Sequence, residues 1–256
     1  DLEKKYKFTV KNPLEKENFQ IKASRYNRKL AKKLSIEIFK SLNKIHNRSY
    51  GFEYWNNILG SNIEVTVSII YQKWILFKKL LKENPKKKFY TELFKLKFED
   101  VVFNSTGEFR NNFLKSQKGE LWQHFIDCLI INNLKCFNYK YLKKPKINEI
   151  KNIKREKFFV KILYFFSSII LNIFNKSDNA FIVNINPKFI IGKFLKIKKI
   201  PVFLKQPELQ KFTYSEKFRN WTINFECKND FEKFLCGVLP KILPKSILEG
   251  YKTNSN

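Results

Sequence analysis

Apolar side chains recur at three- and four-residue steps through several long stretches of this chain, and that period commits it to packed amphipathic helices before any other consideration. In residues 27–45, Leu30, Leu34, Ile38, Leu42 and Ile45 share one side with lysines opposite. The segment His46-Asn47-Arg48-Ser49-Tyr50-Gly51 reads as the turn that ends this helix, and residues 52–59 as a short second helix stopped at Gly60. A third helix is expected over 62–82, with Ile63, Val67, Ile70, Trp74, Phe77 and Leu81 on one face and Asn84-Pro85 terminating it. Residues 119–133 form a fourth, on which Leu121, Trp122, Phe125, Cys128, Leu129 and Asn132 cluster.

Elsewhere the period changes. Residues 180–185 and 200–204 are short apolar runs, the first bounded by Asp178-Asn179 and Asn186-Pro187, which is the pattern of buried parallel strands. Pro187 can open a helix over 188–195, giving a βαβ unit with a right-handed crossover. A short strand is expected at 98–103, a turn at Ser105-Thr106-Gly107, and lysine-rich linker sequence from residue 134 to Lys157. The most hydrophobic segment, 158–174, falls short of the roughly 20 residues of a membrane span and reads as a buried core helix. The basic residues 151–157 just before it leave open a peripheral contact with anionic lipid. A last helix is expected at 230–238, with Pro240 and Pro244 breaking the chain after it. The fold class is therefore α/β and helix-rich.

With 43% hydrophobic and 29% charged side chains, the chain can bury a real core. Its 51 basic and 23 acidic side chains leave a net charge of +28. Such a surplus directs attention to nucleic acid or anionic membrane. The excess is mostly lysine, however, and accompanies abundant Phe, Asn and Ile, which is what A/T-rich coding produces on an ordinary solvated surface. The chain begins at Asp1, contains no methionine and has only seven glycines. These features lead to the expectation of a chain lacking its natural start, and of an enzyme with parts elsewhere. Cys128, Cys136, Cys227 and Cys236 have no C-x-x-C spacing and read as buried free thiols, and His46 and His124 lie at no metal-ligand spacing, so no metal site is expected.

Dinucleotide-binding glycine fingerprints, P-loops, G-x-S-x-G and H-E-x-x-H are absent from the sequence. Two local patterns are unusual for plain packing. In the first, the turn carrying His46, Arg48 and Tyr50 precedes the aromatic pair Tyr54-Trp55. His46 there can serve as a general base or a phosphate-facing donor, with Arg48, Tyr54 and Trp55 as substrate-binding candidates. The alternative is a helix-capping histidine with Tyr54 and Trp55 in the core. In the second, Glu249 stands just before Gly250 in a proline-bracketed ending, either as a substrate-facing carboxylate or as an ordinary surface residue.

Taken together, L-N-x-x-H at 42–46, Y-W-x-x-I-L-G at 54–60, the tryptophan helix at 119–133 and L-P-x-x-x-P-x-x-x-L-E-G-Y at 239–251 resemble one family. It is that of the transferases encoded among bacterial lipopolysaccharide O-antigen and other surface-carbohydrate genes. The resemblance implies a GT-B-like, two-domain glycosyltransferase, in which residues 1–251 are a Rossmann-like N-terminal domain and 252–256 begin the linker to a missing second domain. That second half would carry a Q-H-G-G-like segment better suited to donor binding. The family places a tryptophan after the glycine of its Y-W motif, whereas this chain continues Gly60-Ser61-Asn62.

Functionally, the resemblance implies transfer from a nucleotide-sugar donor, with no bound cofactor, to a glycan or lipid-linked acceptor at the cytoplasmic side of the membrane. His46 and Glu249 would be its catalytic candidates. The competing class is a non-enzymatic basic module that grips single-stranded nucleic acid by stacking and phosphate contacts, and no nucleic-acid motif favours it.

Overall fold

The apolar stripe of the first helix runs further back than its large side chains suggest. In a computed structural model, which describes residues 16–85, 89–135, 137–143, 182–183, 202–203 and 210–251, helix α1 spans Glu17–His46. Ala23 and Asn27 continue the buried face of Leu30, Leu34, Ile38 and Leu42 by three- and four-residue steps. A small and a polar residue do not register in a hydrophobic period, so the expected start at residue 27 is corrected to Glu17.

Gly60 does not end a helix. α2 (Phe52–Trp55) passes into one π-helical turn, Asn56–Gly60, and directly into α3 (Ser61–Glu83). Gly60 keeps right-handed helical angles, φ −56° and ψ −50°, so the expected second and third helices form one rod with a wide turn in it. Such turns re-aim side chains and recur at functional sites. α3 packs against α1, and its buried face is Ile63, Val67, Ile70 and Trp74, while Phe77 and Leu81 are half-buried.

The stretch after α3 holds a strand where none was expected. β1 (Phe89–Phe94) is followed by α4 (Phe98–Val101), α5 (Thr106–Asn112), α6 (Gln117–Leu134) and β2 (Phe137–Leu142). β2 pairs parallel with β1 in the register Phe89↔Phe137 through Phe94↔Leu142. The expected strand at 98–103 is thus a helical turn followed by two extended residues, and part of the expected linker is a strand. Both strands are short and only Leu93 among their residues is buried, so neither carries a continuous apolar run in the sequence. Ser105 opens α5 as its cap, accepting from the Glu108 N–H at 3.0 Å, where a turn was expected. The predicted helix at 119–133 is α6, with Leu121, Trp122, Phe125 and Cys128 buried and Asn132 exposed.

The strand pair expected at 180–185 and 200–204 is present as β3 (Ile182–Val183) and β4 (Val202–Phe203), paired parallel. The helices expected at 158–174 and 188–195, and the basic residues 151–157, lie outside the described residues. Among the described residues no helix is long and apolar enough to cross a membrane. The chain divides into two compact units, one of residues 1–148 with 211–256 and the other of residues 149–210.

In the larger unit the chain returns through α7 (Asp230–Ile242) and α8 (Lys245–Leu248). Asn229 caps α7, accepting from the Glu232 N–H at 3.0 Å. Pro240 lies inside its last turn and does not break it, which corrects the expected end at residue 238. α7 and α8 complete the core with Phe231, Leu235, Leu239, Ile247 and Leu248 against α1, α3 and α6.

The cysteines are only partly as expected. Cys128 is buried, Cys136 lies outside the described residues, and Cys227 and Cys236 are half-buried thiols whose Sγ atoms stand 3.5 Å apart. Burial pushes the Cys128 thiol up to about 11. Burial, with the hydrogen bond to Cys227, pushes Cys236 up to about 12. Only the thiolate attacks an alkylating reagent. At a pH of about 8, Cys128 and Cys236 should therefore stay largely unmodified in the folded protein and react fully in denaturant. Peptide mass spectrometry reads this directly, and equal labelling in both states would refute it.

Candidate functional site

The last turn of α1 sets the geometry of the first motif. Asn47 takes the left-handed conformation, φ 53° and ψ 54°, which asparagine tolerates better than most residues. The Arg48 N–H then closes back on the Asn43 carbonyl at 2.8 Å. Asn43, nearly one turn before His46, also organises the turn through its side chain. Its Oδ1 accepts from the Trp55 indole N–H at 2.7 Å and from the Tyr50 N–H at 3.2 Å, while its Nδ2 donates to the Tyr50 carbonyl at 2.8 Å. One amide side chain thereby satisfies the turn and fixes the tryptophan.

His46 is buried, and its ring packs with Tyr251 at 4.3 Å and with Trp55 at 6.0 Å between centroids. Nε2 lies 2.8 Å from the Ile247 carbonyl, an acceptor, so Nε2 carries the proton and donates. Tyr251 also packs on Trp55, and its hydroxyl meets that of Tyr54 at 3.1 Å. Burial, with hydrogen bonds to Tyr54 and Tyr50, holds the Tyr251 hydroxyl above the ordinary tyrosine range, so it keeps its proton. Tyr54 stacks on Tyr50 at 4.1 Å and is 39% exposed, the rim of an otherwise closed aromatic cluster.

Glu249 belongs to a different network. Arg219, 2% exposed, donates from Nε to its Oε1 and from Nη2 to its Oε2, each at 2.7 Å, and the Ser215 N–H adds a bond to Oε1 at 3.0 Å. The remaining nitrogen, Nη1, donates to the carbonyls of Lys241 at 2.9 Å and Leu243 at 2.8 Å. These are among the carbonyls that the end of α7 leaves without helical partners. The guanidinium also lies 4.5 Å from the Tyr214 ring. Burial pushes the Tyr214 hydroxyl up to about 12. Lysine cannot replace Arg219, because only the planar fork serves two carboxylate oxygens and two carbonyls at once.

Gly250 is glycine for a steric reason, since a Cβ there would enter the ring of Phe212. Gly250→Ala should cost about 1–3 kcal/mol through overpacking. An unchanged melting temperature would refute this contact.

The structure thus brings His46, Tyr54 and Trp55 together with Tyr251, whereas Glu249 is committed to Arg219. Trp55 is fully buried, and the Arg48 side chain is exposed beside the His46 turn. Asn43, Tyr50 and Tyr251 stand inside or beside the sequence motifs and complete the cluster. Among the described residues no group of three or more His, Cys, Asp and Glu is placed to hold a metal ion.

The cluster therefore joins two neighbouring motifs, at 42–46 and 54–60, to a third about 200 residues further along the chain, with the L-E-G-Y turn closing against the end of the long helix α1 and against the Y-W pair. Over residues 1–256 the chain matches the model of the LIC12162 family transferases. It belongs to that family. No curated protein and no solved structure matches it.

Proposed function

We propose that the intact protein transfers a sugar or related group from a nucleotide-sugar donor to a growing surface glycan or its lipid-linked carrier. The observation that carries this reading is membership of a transferase family along the whole chain. The parallel pair β1–β2, joined through α4, α5 and α6, supports a Rossmann-like half of a GT-B-like enzyme, since parallel strands joined through helices are its building unit. In this reading the protein acts at the cytoplasmic face, where a net charge of +28 would favour peripheral contact with anionic lipid and with a pyrophosphate-linked acceptor. In this reading His46 and Glu249 are positioning residues that hold the Ile247–Tyr251 turn, and the exposed Arg48 and Tyr54 face substrate.

The test is genetic and chemical. Producing cells that lack the gene should show a truncated or missing surface glycan, restored by the wild-type copy. An unchanged glycan profile overturns the reading. In the full-length protein, His46→Ala should reduce glycan product. Unchanged product at equal protein abundance removes His46 from the mechanism.

A further inference from the structure

Because β1 and β2 run parallel, their carboxyl ends, Phe94 and Leu142, open on the same edge of the pair. In α/β structures the chain leaves the sheet at that edge, and the crevice outside it is where ligands are taken up. Here that crevice is a cavity of about 670 Å³, within the size range of small-molecule sites. None of its lining residues belongs to the His46 cluster.

Its lining combines three kinds of chemistry. The first is aromatic: the rings of Phe98 and Tyr214 lie within 8° of parallel at 6.4 Å, and Tyr141, 49% exposed, stands near the end of β2. The second is cationic, with Lys95 and Lys97 on the loop that leaves β1. The third is uncharged or acidic hydrogen bonding, from Asn132, Glu99 and Glu216. Electron-rich ring faces attract the polarised C–H face of a sugar, and an amide and carboxylates suit its hydroxyls. With two lysines against two carboxylates the lining carries no net charge, which disfavours a long polyanion. Lys97 lies 3.5 Å from Glu99 in an exposed pair, and Lys95, directly after β1, is the cation nearest in sequence to the carboxyl-end edge.

We propose that this cavity binds a sugar ring carrying a single phosphate, the ring against the exposed Tyr141 and the phosphate on Lys95. The choice of a sugar rests on the glycosyl-transfer reading, while the cavity's standing as a ligand site does not.

The experiment titrates the full-length protein with a panel of hexose 1-phosphates, the free hexoses, inorganic phosphate and UMP, followed by calorimetry and saturation-transfer NMR. At least one hexose 1-phosphate should bind about tenfold or more tighter than its free hexose and than phosphate. Lys95→Glu should abolish that advantage while leaving the free hexose unchanged. Tyr141→Ala should weaken hexose and hexose 1-phosphate alike, by about tenfold. Both side chains are exposed, so unchanged melting curves should certify the fold of each variant. Phosphate binding as well as the sugar phosphates, UMP binding better than all of them, no binding at millimolar concentration, or affinity indifferent to both substitutions overturns the proposal. Sugar-phosphate binding alongside an unchanged cellular glycan would count against the transferase reading alone. A lost glycan with no binding here would count against this inference alone.

Discussion

Arg219→Met should unfold this protein about 3–5 kcal/mol more easily than the wild type, the largest loss expected from a single charged residue among the described residues. The methionine matches the arginine stem in bulk, so the loss is electrostatic. Glu249 would be left as a buried carboxylate without its two 2.7 Å donors, and the Lys241 and Leu243 carbonyls would lose theirs. Glu249→Gln should cost less, about 1–3 kcal/mol, because an amide still accepts from one guanidinium nitrogen or from the Ser215 N–H. Arg219→Met/Glu249→Leu should recover part of the single-variant loss and not all of it. Removing both charges ends the desolvation of an unpaired ion, but the α7 carbonyls stay unsatisfied. Denaturant unfolding of the wild type and the three variants measures these differences. A loss under about 1 kcal/mol for Arg219→Met would mean that the pair is solvated and the network is not structural.

That network also marks where local sequence stops informing. Glu249 drew attention because it precedes a glycine in a proline-bracketed ending, but its partner is 30 residues away in a segment with no periodic pattern. Arginine alone did not mark it, since Arg25, Arg28, Arg48 and Arg110 are exposed, and only the fold shows that Arg219 is the buried one. The helices were legible for the opposite reason, since a face buried along its whole length writes its period into local sequence, as α3 and α6 do. β1 and β2 lack that record because each buries little, and their partnership is set by a distant register, Phe89 against Phe137. β3 and β4 were legible because their apolar runs are continuous. Gly60 misled because glycine usually punctuates helices, whereas here the π turn absorbs it. Pro240 misled likewise, being seated in the last turn of α7.

Trp55→Ala should be about as damaging as loss of Arg219, at roughly 3–5 kcal/mol, and it bears on the site more directly. Trp55 is fully buried against His46, Tyr50, Tyr54 and Tyr251, so removing the indole opens a cavity beside all four rings. Trp55→Phe separates packing from hydrogen bonding. It keeps most of the ring contact and gives up the 2.7 Å bond to Asn43 Oδ1, which retains the Tyr50 N–H as a donor and is therefore not orphaned. Its cost should be about 1–2 kcal/mol. If the aromatic cluster positions Tyr54 and Arg48 for substrate, the phenylalanine variant should hold the fold while lowering product in the full-length protein, because the Y-W pair loses the bond that ties it to Asn43 while the turn keeps its own two bonds to Asn43. Product equal to wild type from a stably folded Trp55→Phe protein would assign the cluster to stability alone. A protein that loses stability with alanine but keeps both stability and product with phenylalanine needs only the ring. One that keeps stability and loses product needs the Asn43 bond.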